Sequence, residues 1–181
     1  MSIEEKCKFK QEIINTSRTL WGHHTKWMRM LIISNIANLP DLNLISQRLN
    51  KNSVYFANEI EKYYGKEKAD TFEKLLLSHL LISEMLIENL KIQNVQASDE
   101  CRRQWYENAD DIARFLSAIN VHYNEHEWRA MLYDHLFLTE NELLFRLKGD
   151  YESEISEYDV IDSQILRIAD MMSDGIIKQF I

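Results

Sequence analysis

The chain has 181 residues and a formal net charge of −8, with 45% hydrophobic and 28% charged residues. That length suits one domain spanning residues 1–181, and that composition supports a packed core rather than disorder. One proline and four glycines are too few to punctuate a sandwich or barrel, and no Gly-rich phosphate cradle occurs, so an all-β fold and a nucleotide or flavin site are excluded.

Six helical segments follow in chain order. The first runs from Ile3 to Asn38 and stops at Leu39-Pro40, with Asp41 as the expected cap of the next. The second spans Leu42–Tyr64 and closes at Gly65, expected to be left-handed, with a break or kink near Asn50–Ser53. The third covers Glu67–Lys91, and the fourth Ser98–Ile119 with Ser98 or Asp99 as cap. The fifth covers Glu125–Lys148 before Gly149, and the sixth runs from Tyr151 onward. Short connections predict antiparallel neighbours.

The chain resembles itself at a shift of 56 residues. Phe72–Glu84 lies on Trp128–Glu140, bringing His79 onto His135, Ser83 onto Thr139 and Glu84 onto Glu140. Asn52, Phe56, Ala57 and Ile60 lie on Asn108, Ile112, Ala113 and Leu116, and then on Gln164, Ile168, Ala169 and Met172. In the first helix a shift of 55 selects His24 and places Arg29 on the glutamate position, whereas 56 would select His23. His24 keeps Leu20 and Trp21 on apolar positions and is preferred. The pattern reads as an all-α, six-helix bundle of three repeated αα-hairpins. Its odd helices carry the histidines and are apolar nearly all round, which predicts that they are central and the even helices peripheral.

Imidazole and carboxylate together form the ligand set of metal sites inside helical bundles. His24, His79, His135, Glu84 and Glu140 are therefore the candidate metal ligands, with iron or manganese ahead of zinc. Residues five apart differ by about 140° around a helix, so histidine and glutamate share a site only if it lies between helices. The competing reading is a metal-free polar network in a scaffold or interaction module, with Arg29 neutralising Glu84 or Glu140. His122 and His126 read as turn residues, the four tryptophans as core, and the acidic stretch Asp150–Asp162 as a solvated helix start.

The repeated signature aromatic-x6-His-Leu-x2-Ser/Thr-Glu, together with the opening Trp21-Gly-His-His24-x2-Trp27-x-Arg29, resembles uncharacterised ferritin-like helical-bundle proteins of Bacillus- and Clostridium-type bacteria. The resemblance implies an up-and-down helical bundle in the cytoplasm with an iron or manganese site. The chain lacks the paired Glu-x-x-His of ferritins and the HxxxE element of hemerythrins, and its HxxxH spacing, His122 to His126, falls at a turn. Sparse Lys/Arg clustering argues against nucleic acid as a partner, and no apolar run is long enough for a membrane span or a leader. Cys7 and Cys101 read as reduced thiols, and the scaffold reading admits a homodimer through an exposed face.

Overall fold

The computed structural model describes residues 2–181 as six helices, with no strand among the described residues. They are α1 (Ile3–Ile36), α2 (Leu42–Tyr64), α3 (Lys66–Lys91), α4 (Val95–Ile119), α5 (Glu125–Lys148) and α6 (Tyr151–Phe180). Each helix packs on its neighbours in sequence. α6 returns to pack along α1, so the six form a closed ring, and α1 also touches α3 and α5 across it. No helix among the described residues is long and apolar enough to cross a membrane.

Local chemistry explains the boundaries. Ser2 and Glu5 cap α1 reciprocally: the Ser2 hydroxyl accepts from the Glu5 N–H and the Glu5 carboxylate accepts from the Ser2 N–H. α4 starts earlier than the sequence suggests, because the Asn94 side chain caps it and Ser98 lies inside the first turn, donating back to the Asn94 carbonyl. Asp41 precedes α2 but its side chain makes no cap; its carboxylate accepts from Ser34 on α1 instead. Gly65 joins α2 to α3 alone, at φ 80° and ψ 169°, an extended mirror-image geometry rather than the left-handed turn expected there. Gly149 is left-handed, at φ 73° and ψ 17°. The proposed break at Asn50–Ser53 does not form: α2 runs straight through, with Asn52 turned inward.

The core divides into two apolar clusters. The larger gathers Trp21, Phe56, Phe72, Leu76, Trp105, Trp128 and Leu132, and the smaller Met28, Ile32, Leu49, Leu80 and Leu143. On α1 the change from one cluster to the other falls at His24; on α3 and α5 the two interleave, with Ile82, Leu86 and Leu136 of the larger cluster lying beyond His79 and His135, so the three histidines form a polar layer within the core. The odd helices are not covered on every side: Leu81 and Phe137 are exposed. The α6 stripe of Ile161, Ile165, Ile168, Met172 and Ile176 is buried throughout, so even helices contribute fully to the core.

A buried histidine cluster at the centre of the ring

The periodicity of the odd helices sets His24, His79 and His135 on their inward faces, at 1%, 2% and 2% exposure. His24 Nε2 lies 3.1 Å from His135 Nε2, and the His24 ring centroid is 6.1 Å from that of His79. His79 also leans on the Trp105 ring, with centroids 5.4 Å apart. Burial holds all three imidazoles neutral. It pushes His79 down to about 4 and His135 to about 3, and His24 well below the ordinary value, where its two histidine neighbours add to the effect.

An amide from an even helix reaches each odd helix one turn before its histidine. Asn52 Nδ2 donates to the Leu20 carbonyl at 3.2 Å, Asn108 Nδ2 to the Leu75 carbonyl at 3.0 Å, and Gln164 Nε2 to the Met131 carbonyl at 2.8 Å. In each case the carbonyl lies four residues before the histidine. Anchoring the amide nitrogen this way fixes where its oxygen points. Asn108 Oδ1 meets His79 Nδ1 at 3.0 Å, and because an amide oxygen only accepts, that nitrogen carries the proton. The neutral His79 ring therefore keeps its lone pair on Nε2. Around the other two rings, His24 Nδ1, Asn52 Oδ1, His135 Nδ1 and Gln164 Oε1 are all buried without partners.

The glutamates of the expected ligand set are not part of this layer. Glu84 accepts from the Ser46 hydroxyl on α2 at 2.9 Å, and Glu140 accepts from Arg102 on α4. The 140° offset carries both away from the histidine face and onto the preceding even helix. Arg29 pairs with neither of them. It binds Glu142 at 2.7 Å and Glu154 at 2.8 Å, with Arg146 also on Glu154 at 3.3 Å and the Tyr158 ring 4.5 Å from the Arg29 guanidinium carbon. Burial raises the Glu142 carboxyl to about 7 against the lowering effect of Arg29. The Asp150–Asp162 stretch is thus not uniformly solvated. Glu154 lies seven residues before Ile161 on the inward stripe, a spacing that the sequence alone displays.

His23 is half-buried on another face of α1, and His122 and His126 are exposed beside the α4–α5 turn. Among the described residues, no group of three or more His, Cys, Asp or Glu side chains is arranged, as it stands, to hold a metal ion. His79 is held by Asn108 and leans on Trp105. Cys7 and Cys101 are both free thiols. Comparison with known proteins finds no matching family model, no matching curated protein and no matching solved structure.

Proposed function

We propose that the protein binds a transition-metal ion on the imidazoles of His24, His79 and His135, and that the chain is built as three repeated αα-hairpins around that ion. The amide set carries the reading. The Asn108 contact dictates the Nδ1-protonated form of His79, and Asn52 and Gln164 stand in the same relation to His24 and His135 with matching atoms unpartnered. Rings protonated at Nδ1 present Nε2 lone pairs to one another, which repel unless a cation lies among them. An outer acceptor on the second ring nitrogen is what metal-ligating histidines normally have. Low pKa values suit the same role, because a ligand must be deprotonated.

The hairpin reading is supported by a second recurring contact. The position five residues after each histidine meets one position on the preceding even helix: Arg29 meets Tyr158, Glu84 meets Ser46 and Glu140 meets Arg102. Residues 46, 102 and 158 are themselves spaced by 56. Within this proposal the likeness to ferritin-like bundles is one of helical architecture. An all-imidazole set suits zinc or copper, whereas the iron or manganese suggested by the sequence drew on carboxylates that are engaged elsewhere. Once bound, the ion would supply a cross-link between α1, α3 and α5, adding its binding free energy to folding.

The test is metal retention by protein purified without chelator or affinity histidines, then loaded separately with zinc, copper, iron and manganese. One ion per chain and a raised melting temperature are expected, lost in His135→Ala and kept in Glu140→Gln. No retained ion, or equal retention in His135→Ala, overturns the proposal. In that case the 3.1 Å contact between His24 and His135 is an ordinary N–H···N bond of a metal-free network, and His135→Ala costs on the order of 1–3 kcal/mol with no ion to lose.

A further inference from the structure

We infer that the groove between α1 and α2 at Arg48 is a binding site for a small oxyanion, a phosphorylated or carboxylated molecule. The groove encloses about 460 Å³ and is lined on the α1 side by Thr16, Thr19 and His23, and on the α2 side by Arg48, Tyr55 and Asn58. The Arg48 guanidinium is held between two aromatic rings, its central carbon 4.7 Å from the Trp27 centroid and 5.3 Å from that of Tyr55. That clamp fixes a planar donor array at little further entropic cost when a ligand arrives.

The charge is unanswered. Arg18, Arg29, Arg102, Arg129 and Arg146 all pair with carboxylates, but Arg48 has no such partner among the described residues, and its Nη1 is buried without a hydrogen bond. Leaving a partly buried guanidinium unpaired is unfavourable, and an oxyanion is the group that relieves it. The one acid in the lining, Glu59, is taken by Lys62 at 2.6 Å. It lies 11 residues along α2 from Arg48, about 16 Å at the helical rise. The Arg48 end is therefore a cationic spot on a chain of net charge −8. The hydroxyls of Thr16, Thr19 and Tyr55 and the Asn58 amide offer hydrogen bonds to the body of the ligand. A second groove continues from Thr19 and His23 past Lys26, leaving room for a molecule larger than a bare ion.

The test titrates the whole protein with phenyl phosphate and, separately, benzoate, at ionic strength held constant with sodium chloride. Calorimetry gives the affinity, and the Arg48 Nε–H resonance, assigned by its loss in Arg48→Lys, gives the location. Saturable binding of at least one probe, a shift of that resonance, and affinity about tenfold weaker or worse in Arg48→Gln are expected. Tighter phenyl phosphate assigns the site to phosphate esters, and tighter benzoate to carboxylates. Absence of saturable binding by both probes, or an unmoved Arg48 resonance in the wild-type chain, overturns the inference whether or not the Gln variant folds.

Discussion

Asn52, Asn108 and Gln164 each use a planar amide to bind a helix carbonyl, and Asn108 alone spans from that carbonyl to an imidazole N–H, a reach no hydroxyl has. Removing Asn108 leaves two buried polar groups unpaired. Asn108→Ala is expected to cost about 2–4 kcal/mol in urea unfolding, by exposing both the Leu75 carbonyl and His79 Nδ1–H to an apolar gap. The histidines also set a pH dependence. Their folded pKa values lie below the ordinary 6.5, so the unfolded chain binds more protons in acid. In the metal-free protein the contribution of His79 and His135 to stability is complete above pH 6.5 and is lost as pH falls, by roughly 2 kcal/mol each at pH 5, and His24 acts in the same direction. Glu142 acts oppositely: raised to about 7 from 4.5, it destabilises the fold as pH rises through that interval. Urea midpoints of chelated protein at pH 5, 6 and 7 check the sign; a midpoint that rises on acidification refutes neutral buried rings. The histidines and their amides were legible as aligned positions, because both lie on strictly periodic faces. The pairing of Arg29 with Glu142 and Glu154 was not, because it joins three helices whose relative rotation no one-dimensional pattern records.

Among the elements, α6 and the α4–α5 connection meet in close contact at Gly175 and Tyr123. A Cβ on Gly175 would stand 1.9 Å from the Tyr123 ring, while the Tyr123 hydroxyl donates to the Met172 carbonyl one turn earlier. Gly175→Ala is therefore expected to lower stability by about 1–3 kcal/mol as the ring is forced aside. Tyr123→Leu in the same chain should recover part of the loss in thermal unfolding, and purely additive losses would place the strain elsewhere. The connection through Gly65 is as restrictive in backbone terms, since φ 80° with ψ 169° is open in practice to glycine alone. Helix limits were largely readable: α2 spans Leu42–Tyr64 and α5 Glu125–Lys148 as the sequence predicts, with proline ahead of α2 and glycine after both. Caps were less so, because whether Asp41 serves its own helix or Ser34 on the preceding one is decided by tertiary proximity.

At the scale of the molecule, five of the six seams of the ring are tied by a short connection, and the α1–α6 seam is not. It is held by side chains alone, among them the paired bonds of Arg18 to Asp170 at 2.7 and 2.9 Å and the buried Arg29–Glu154 contact. Arg18 and Asp170 are 152 residues apart, so the seam closes a far longer loop than any other contact between neighbouring helices. Asp170→Asn, at a half-exposed pair, should cost no more than about 1 kcal/mol at equilibrium. In stopped-flow measurements it should raise the unfolding rate and leave the folding rate unchanged, because contacts of such separation form after the transition state; a slowed folding limb would place the seam in the nucleus instead. The open seam also sets how the molecule comes apart. A ring with one uncovalent joint parts there first, as a clasp does, and α1, one of the two helices that meet at the joint, carries His24. The lifetime of the closed clasp is then the clock for anything that must enter or leave the polar layer at the centre.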